Sequence, residues 1–177
     1  MVPRHHTYEI NERIAADGKI VTDLDSEVTS NLVRDILEQE KFDSVAICFL
    51  HSYLNPIHER ALSDIISALY PEMPITCSCD VAREFREYER ASTTTLAAYV
   101  QPVVAGYIKR FSEELARRGF QGKFSIMQSN GGRMPAAAIT KNAITALFSG
   151  PAAGVVGAIR GKGSTPYTDI ILSLIHI

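Results

Sequence analysis

Two glycine-bearing turns hold the residue types in this sequence best suited to grip an anion or a small polar ligand. The first is Ser149-Gly150-Pro151-Ala152-Ala153-Gly154. Proline is accepted in the first turn of a helix because the amide it lacks has no intrahelical partner there. The free amides of such a helix start favour a phosphate or carboxylate, and Gly150 lets a bound group come close. The same glycines allow a packing role, since Gly150, Gly154, Gly157 and Gly161 fall on roughly one helical face and would admit another backbone. Both roles stand, with Ser149, Gly150 and Gly154 as cleft candidates. The second turn is Gln128-Ser129-Asn130-Gly131-Gly132. It follows a strand-like run, where α/β proteins place ligand loops. Asn-Gly is also a common hairpin turn. Asn130, Gly131 and Gly132 complete the nucleotide or substrate cleft candidates.

A third group is charged. Residues 83–90 (Arg-Glu-Phe-Arg-Glu-Tyr-Glu-Arg) alternate in sign, which ordinarily marks a solvated face. The neighbouring hydroxyls Ser92 to Thr95 read as caps of a helix start, with contact to a polar substrate as their second role. Arg86, Glu87, Arg90 and Thr93 are therefore candidates for a substrate contact or a lobe interface. No metal site is expected. Cys48, His51 and His58 match no zinc spacing, and Cys77-x-Cys79 is one residue tighter than the usual knuckle. The sequence contains no Ser/His/Asp order, no paired catalytic carboxylates, no Walker loop and no GxGxxG, so no catalytic residue is named.

The elements that must position these residues alternate. His6 to Ile10, Asp17-Gly18 and Lys19 to Val21 read as a small hairpin. Asp25 caps a helix carrying Val28, Leu32, Ile36 and Leu37. Val45 to Leu50 reads as a strand buried on both faces, a second helix carries Leu62, Ile65, Ile66 and Leu69, and Ile75 to Val81 reads as a second strand. This order predicts an α/β fold with parallel pairing. A long helix is expected from about Ser92 to Arg118, kinked at Pro102 and stopped by Gly119. Lys123 to Gln128 and Ile144 to Phe148 read as strands, Pro135 to Ala138 as a short helix, and Ala152 to Ile159 as a helix. A lobe boundary is placed around Val81 to Ala91.

The chain has 177 residues, 46% hydrophobic and 21% charged, with a formal net charge of −2. Without a basic stripe, neither nucleic acid nor an anionic membrane is an expected partner. No apolar run approaches the roughly 20 residues that span a bilayer. Three cysteines and no leader pattern point to a reducing, cytoplasmic setting.

Four segments, taken in order, resemble one family. They are Val45 to Tyr53 with Asn55-Pro56 and His58-Glu59; Arg86 to Arg90 with Ser92-Thr93-Thr94, Ala98-Tyr99-Val100 and Pro102; Met127 to Gly132; and Ser149 to Ala158. Their order and spacing are similar to the hydantoinase A/5-oxoprolinase family, which includes the acetone carboxylase β-subunit type. The resemblance implies an actin-like ATPase fold of the acetate/sugar kinase, Hsp70 and actin superfamily, truncated here at both ends. It also implies ATP-dependent opening of a hydantoin or 5-oxoproline through a phosphorylated amide. ATP and Mg²⁺ are the implied cofactors, and a hydantoinase B-type subunit is the implied partner. Residues 1–85 would then be the C-terminal part of the family's N-terminal region, and 86–171 the start of the hydantoinase A domain. The family's two Asp-x-Gly-Gly-Thr phosphate loops do not occur in this sequence, so the fragment alone is expected to be inactive. The final Leu172 to Ile177 resembles a translated sequencing adapter and is set aside as a non-native tail.

Overall fold

Asp25 accepts from the amides of Glu27 and Val28 at 2.9 and 3.0 Å, so helix α1 (Ser26–Gln39) begins on the cap its sequence supplies. The computed structural model describes residues 2–140, 142–163 and 165–173. The last four residues of the tail set aside above lie outside them. The chain divides into two units, Met1–Val103 and Val104–Ile177.

In the first unit, Gly18 at φ +82° turns a short antiparallel hairpin of β1 (Arg13–Ile14) and β2 (Ile20–Thr22). The expected first strand at His6 to Ile10 does not form; β1 lies nearer the turn, and Arg4–His6 makes a 3-10 turn instead. Strands β3 (Val45–Ile47) and β4 (Ile75–Cys77) pair in parallel, with Val45 opposite Ile75 and Ile47 opposite Cys77. Helix α2 (Ile57–Leu69) connects them and packs on both. Val33, Ile47, Leu62, Ile66, Cys77 and Cys79 form the core between α1, α2 and the strand pair. The α/β fold with a parallel pair is the one the alternation of elements requires.

Both strands are shorter than their apolar runs, and one residue accounts for it. Glu59, fully buried in the first turn of α2, accepts from the Phe49 amide at 2.8 Å and from Ser78 Oγ at 2.5 Å through one oxygen. Its other oxygen accepts from the Cys79 amide at 2.9 Å. These donors are thereby taken out of the sheet: the chain leaves β3 after Ile47, and Ser78–Val81 coils into the short helix α3.

Helix α4 (Glu87–Arg117) starts one and a half turns earlier than its threonine run suggested. Thr93 and Thr94 are therefore interior, and their hydroxyls donate to the carbonyls of Glu89 and Arg90 at 2.8 and 2.7 Å rather than capping amides. The helix continues through Pro102 and ends at Gly119, whose φ of +78° accompanies a Phe120 amide bond back to the Leu115 carbonyl.

In the second unit, β5 (Ser125–Met127) and β6 (Arg133–Pro135) form an antiparallel hairpin. Helix α5 (Ala136–Ile139) and helix α6 (Ser149–Lys162) follow. The expected strand at Ile144 to Phe148 is instead a 3-10 turn over Ala143–Ala146, because both the amide and the hydroxyl of Thr145 turn back onto the Asn142 carbonyl.

Candidate functional site

The loop Gln128 to Gly132 is closed by its own backbone. The Gln128 amide donates to Gly132 O at 2.8 Å and the Gly131 amide to Gln128 O at 3.0 Å. Asn130 Oδ1 accepts from the Gly132 amide at 2.8 Å, so this side chain shapes the turn. Gly131 adopts φ +81°, which glycine takes at little cost. The loop is anchored on two sides: the Ser129 amide donates to Thr145 O at 2.8 Å, and a Cβ at position 131 would lie 3.2 Å from Val156 Cγ2 of α6.

Helix α6 begins just after Phe148, which is exposed and left-handed at φ +57°, and no side chain caps its first amides. Its first turn carries no acidic residue, which leaves the helix start open to an anion. Ser149 lies at an apolar groove of about 360 Å³ whose walls include Tyr107, Ile108, Phe111, Phe124 and Ile126. The structure thus brings Gly131 against α6 at Val156, two turns along from Ser149 and Gly150, while Asn130 and Gly132 contact their own loop. A Cβ at Gly150, Gly157 or Gly161 would meet nothing within 4 Å, so these positions of the glycine face have room for a side chain.

The charged group lies in the first unit. Arg86 and Glu87 are exposed, and Arg86 reaches Glu89 at 3.6 Å across one helical turn. Arg90 departs from the solvated-face reading, being 1% exposed. One terminal nitrogen donates to Glu84 O at 3.0 Å, the other to Phe49 O, and the guanidinium lies 5.6 Å from the Tyr53 ring. The remaining Nε is buried without a partner. Helical spacing explains the exception, because Arg90 shares its face with buried Thr94, Ala97 and Ala98.

A buried polar cluster at the C-terminal ends of β3 and β4 received no role from the sequence. It comprises Glu59, Ser78 and Ser52, whose hydroxyl lies 3.1 Å from that of Ser78. Beside it, His51 adopts φ +58° and leaves its buried Nδ1 unpaired. His58, also buried, is bracketed by Glu12 at 2.7 Å and Asp23 at 3.1 Å, which tethers the hairpin to α2. The adjacent pair His58-Glu59 at a helix start is the signal in the sequence that points to this cluster.

Cys79 lies in the same region. Its hydrogen bond with Cys77, its burial and nearby Glu59 push its thiol well above the ordinary value of 9.0. The unfolded chain should lose this proton near that ordinary value while the folded chain keeps it, so the Cys79 contribution to stability should fall as pH rises past about 9. Cys77 contributes in the opposite sense, because the same hydrogen bond lowers its thiol. Urea midpoints at pH 8 and pH 10 measure the drop, and Cys79→Ala should reduce it.

The comparisons match the same segments. The hydantoinase/oxoprolinase N-terminal region model matches residues 1–70, and the hydantoinase/oxoprolinase model matches residues 90–173. An uncharacterized protein of Methanocaldococcus jannaschii is 40% identical over 156 residues, covering 88% of this chain and 23% of that protein. The caprolactamase subunit alpha of Pseudomonas jessenii is 35% identical over 152 residues, 86% of this chain and 22% of that subunit. The solved ATP-dependent caprolactamase from that organism superposes with a TM-score of 0.82 at 33% identity, over 92% of this chain and 23% of that one. Acetone carboxylase and 5-oxoprolinase proteins match as well. The chain spans less than a quarter of the length of the two relatives with quoted coverage.

Proposed function

This chain belongs to the hydantoinase/oxoprolinase family, and from that premise we propose that it is a segment of an ATP-dependent enzyme that opens a cyclic amide of the hydantoin or 5-oxoproline type. ATP would transfer its terminal phosphoryl group to the amide oxygen, releasing ADP and making the amide carbon a better electrophile. Water then adds to that carbon, the ring C–N bond breaks as the nitrogen takes a proton, and a second water hydrolyses the remaining acyl phosphate to carboxylate and free phosphate. The observation that carries this reading is the meeting of the Gln128 to Gly132 loop with α6, whose uncapped start bears Ser149 and Gly150. The open amides there fit a phosphate, and the apolar groove beside Ser149 suits the carbon skeleton of a small ring. Gly154 belongs to the same helix. Among the described residues no three His, Cys, Asp or Glu gather as metal ligands; Mg²⁺, which typically takes one or two carboxylates with phosphate oxygens and water, would in this proposal be held largely by ATP.

On this reading, residues 1–85 continue the family's N-terminal region, residues 86–171 open its hydantoinase A domain, and Arg86, Glu87, Arg90 and Thr93 lie where the two meet in sequence. A cytoplasmic setting and a hydantoinase B-type partner complete the proposal. The matches to subunits named as parts of caprolactamase and acetone carboxylase support a multi-subunit enzyme. The acetone carboxylase match also favours a second reading, a carboxylase subunit. A non-catalytic actin-like ATP-binding module is the third. ATP turnover by the full-length protein separates them. Stimulation by hydantoin, 5-oxoproline or caprolactam is expected. Stimulation only by a ketone with bicarbonate would favour the carboxylase, and ATP binding without stimulated turnover the non-catalytic module.

A further inference from the structure

Over its first half, α4 turns its large apolar groups outward. Its buried side is polar or small, formed by Arg90, Thr94, Ala97 and Ala98. Its outer side carries Tyr88, Tyr99 and Val103 at 75%, 77% and 74% exposure, with Leu96 among them. At about 3.6 residues per turn these four form one stripe roughly 80° wide. No Asp, Glu, Lys or Arg occurs between Arg90 and Lys109, so from Leu96 to Val103 the stripe lacks the charged groups that an ordinary surface helix shows to water. An exposed apolar stripe without charged neighbours marks a face that packs against protein or a bilayer. Among the described residues, no helix is long and apolar enough to cross a membrane. The family relatives leave ample chain to cover the stripe, since these residues span 23% and 22% of their length.

We propose that the outer stripe of α4 is an internal packing face, covered by an apolar face of the same polypeptide that lies outside these 177 residues. The inference rests on reading the chain as a segment of a longer family member. Its test is maleimide labelling of Tyr99→Cys in the full-length protein, native and urea-unfolded, with the unsubstituted protein as blank for its own thiols. Labelling at least about tenfold slower in the native monomer, identified by sedimentation, is the expected result. Equal rates overturn the proposal. Protection found only in a dimer assigns the face to a second copy, and protection found only after a separate subunit is added assigns it to that subunit; either overturns the stated occupant. Val103→Cys repeats the reading if the first variant does not fold. Labelling needs no turnover, so protection in a protein without ATP-dependent amidohydrolase activity would reject the proposed function and leave this inference standing.

Discussion

Glu59→Ala should destabilise the chain by about 3–5 kcal/mol in urea unfolding, the combined effect of unsatisfied buried donors and a cavity. The removed carboxylate accepts from two backbone amides and one hydroxyl, all taken out of water. Alanine would leave these donors without their acceptor and open a cavity beside the core residues Leu62, Cys77 and Cys79. Glu59→Gln separates the two contributions. It keeps the volume and one acceptor oxygen, but one end of the side chain becomes an N–H donor. Either the Cys79 amide or the pair formed by Phe49 and Ser78 then faces a donor, for a loss of about 1–3 kcal/mol. An alanine variant as stable as the parent would show that Glu59 does not end the two strands.

Glu59 also marks where sequence reading stopped. Strand and helix identity in the first unit was legible because the apolar run at Val45 and the helical repeat at Leu62 and Ile66 have different periods. Strand length was not. Cys48 to Leu50 are apolar enough to continue a sheet and Ser78 to Val81 follow β4 directly, but the Phe49 and Cys79 amides are claimed by a carboxylate on a different element. That pairing is a tertiary event, and local propensity carries no trace of it. Arg90 was misplaced for a related reason. In an alternating charge run each residue looks solvated, and only the phase of α4 selects the one that turns inward. The threonines resemble caps in the sequence, but α4 starts five residues before Ser92, at Glu87, which places them inside the helix. The turn at Gln128 to Gly132 was legible as a turn, since Asn-Gly specifies its own backbone. Its two anchors, Thr145 and Val156, became visible only once the chain was folded.

The glycines of this turn and of α6 yield opposite expectations, and together they separate packing from ligand binding. Gly131→Ala should cost about 1–2 kcal/mol, since φ +81° is left-handed and its Cβ would approach Val156 Cγ2 at 3.2 Å. Gly131→Val should cost more, because a β-branched side chain fits that backbone region worst. Gly157→Ala should instead stabilise the chain by about 0.5–1 kcal/mol, since it lies within α6 with nothing within 4 Å of its Cβ and alanine is the better helix former. Thermal or urea unfolding of the three variants should therefore rank Gly157→Ala above the parent and Gly131→Val lowest. Gly150→Ala carries the functional reading. Its Cβ also enters open space, so the chain should fold without loss. In the full-length protein the added methyl group would stand at the open amides of α6, and ATP affinity should fall while the melting temperature holds. Loss of melting temperature with affinity intact would instead assign Gly150 to packing against another part of the protein. The proposed phosphate contact would then have to be sought elsewhere.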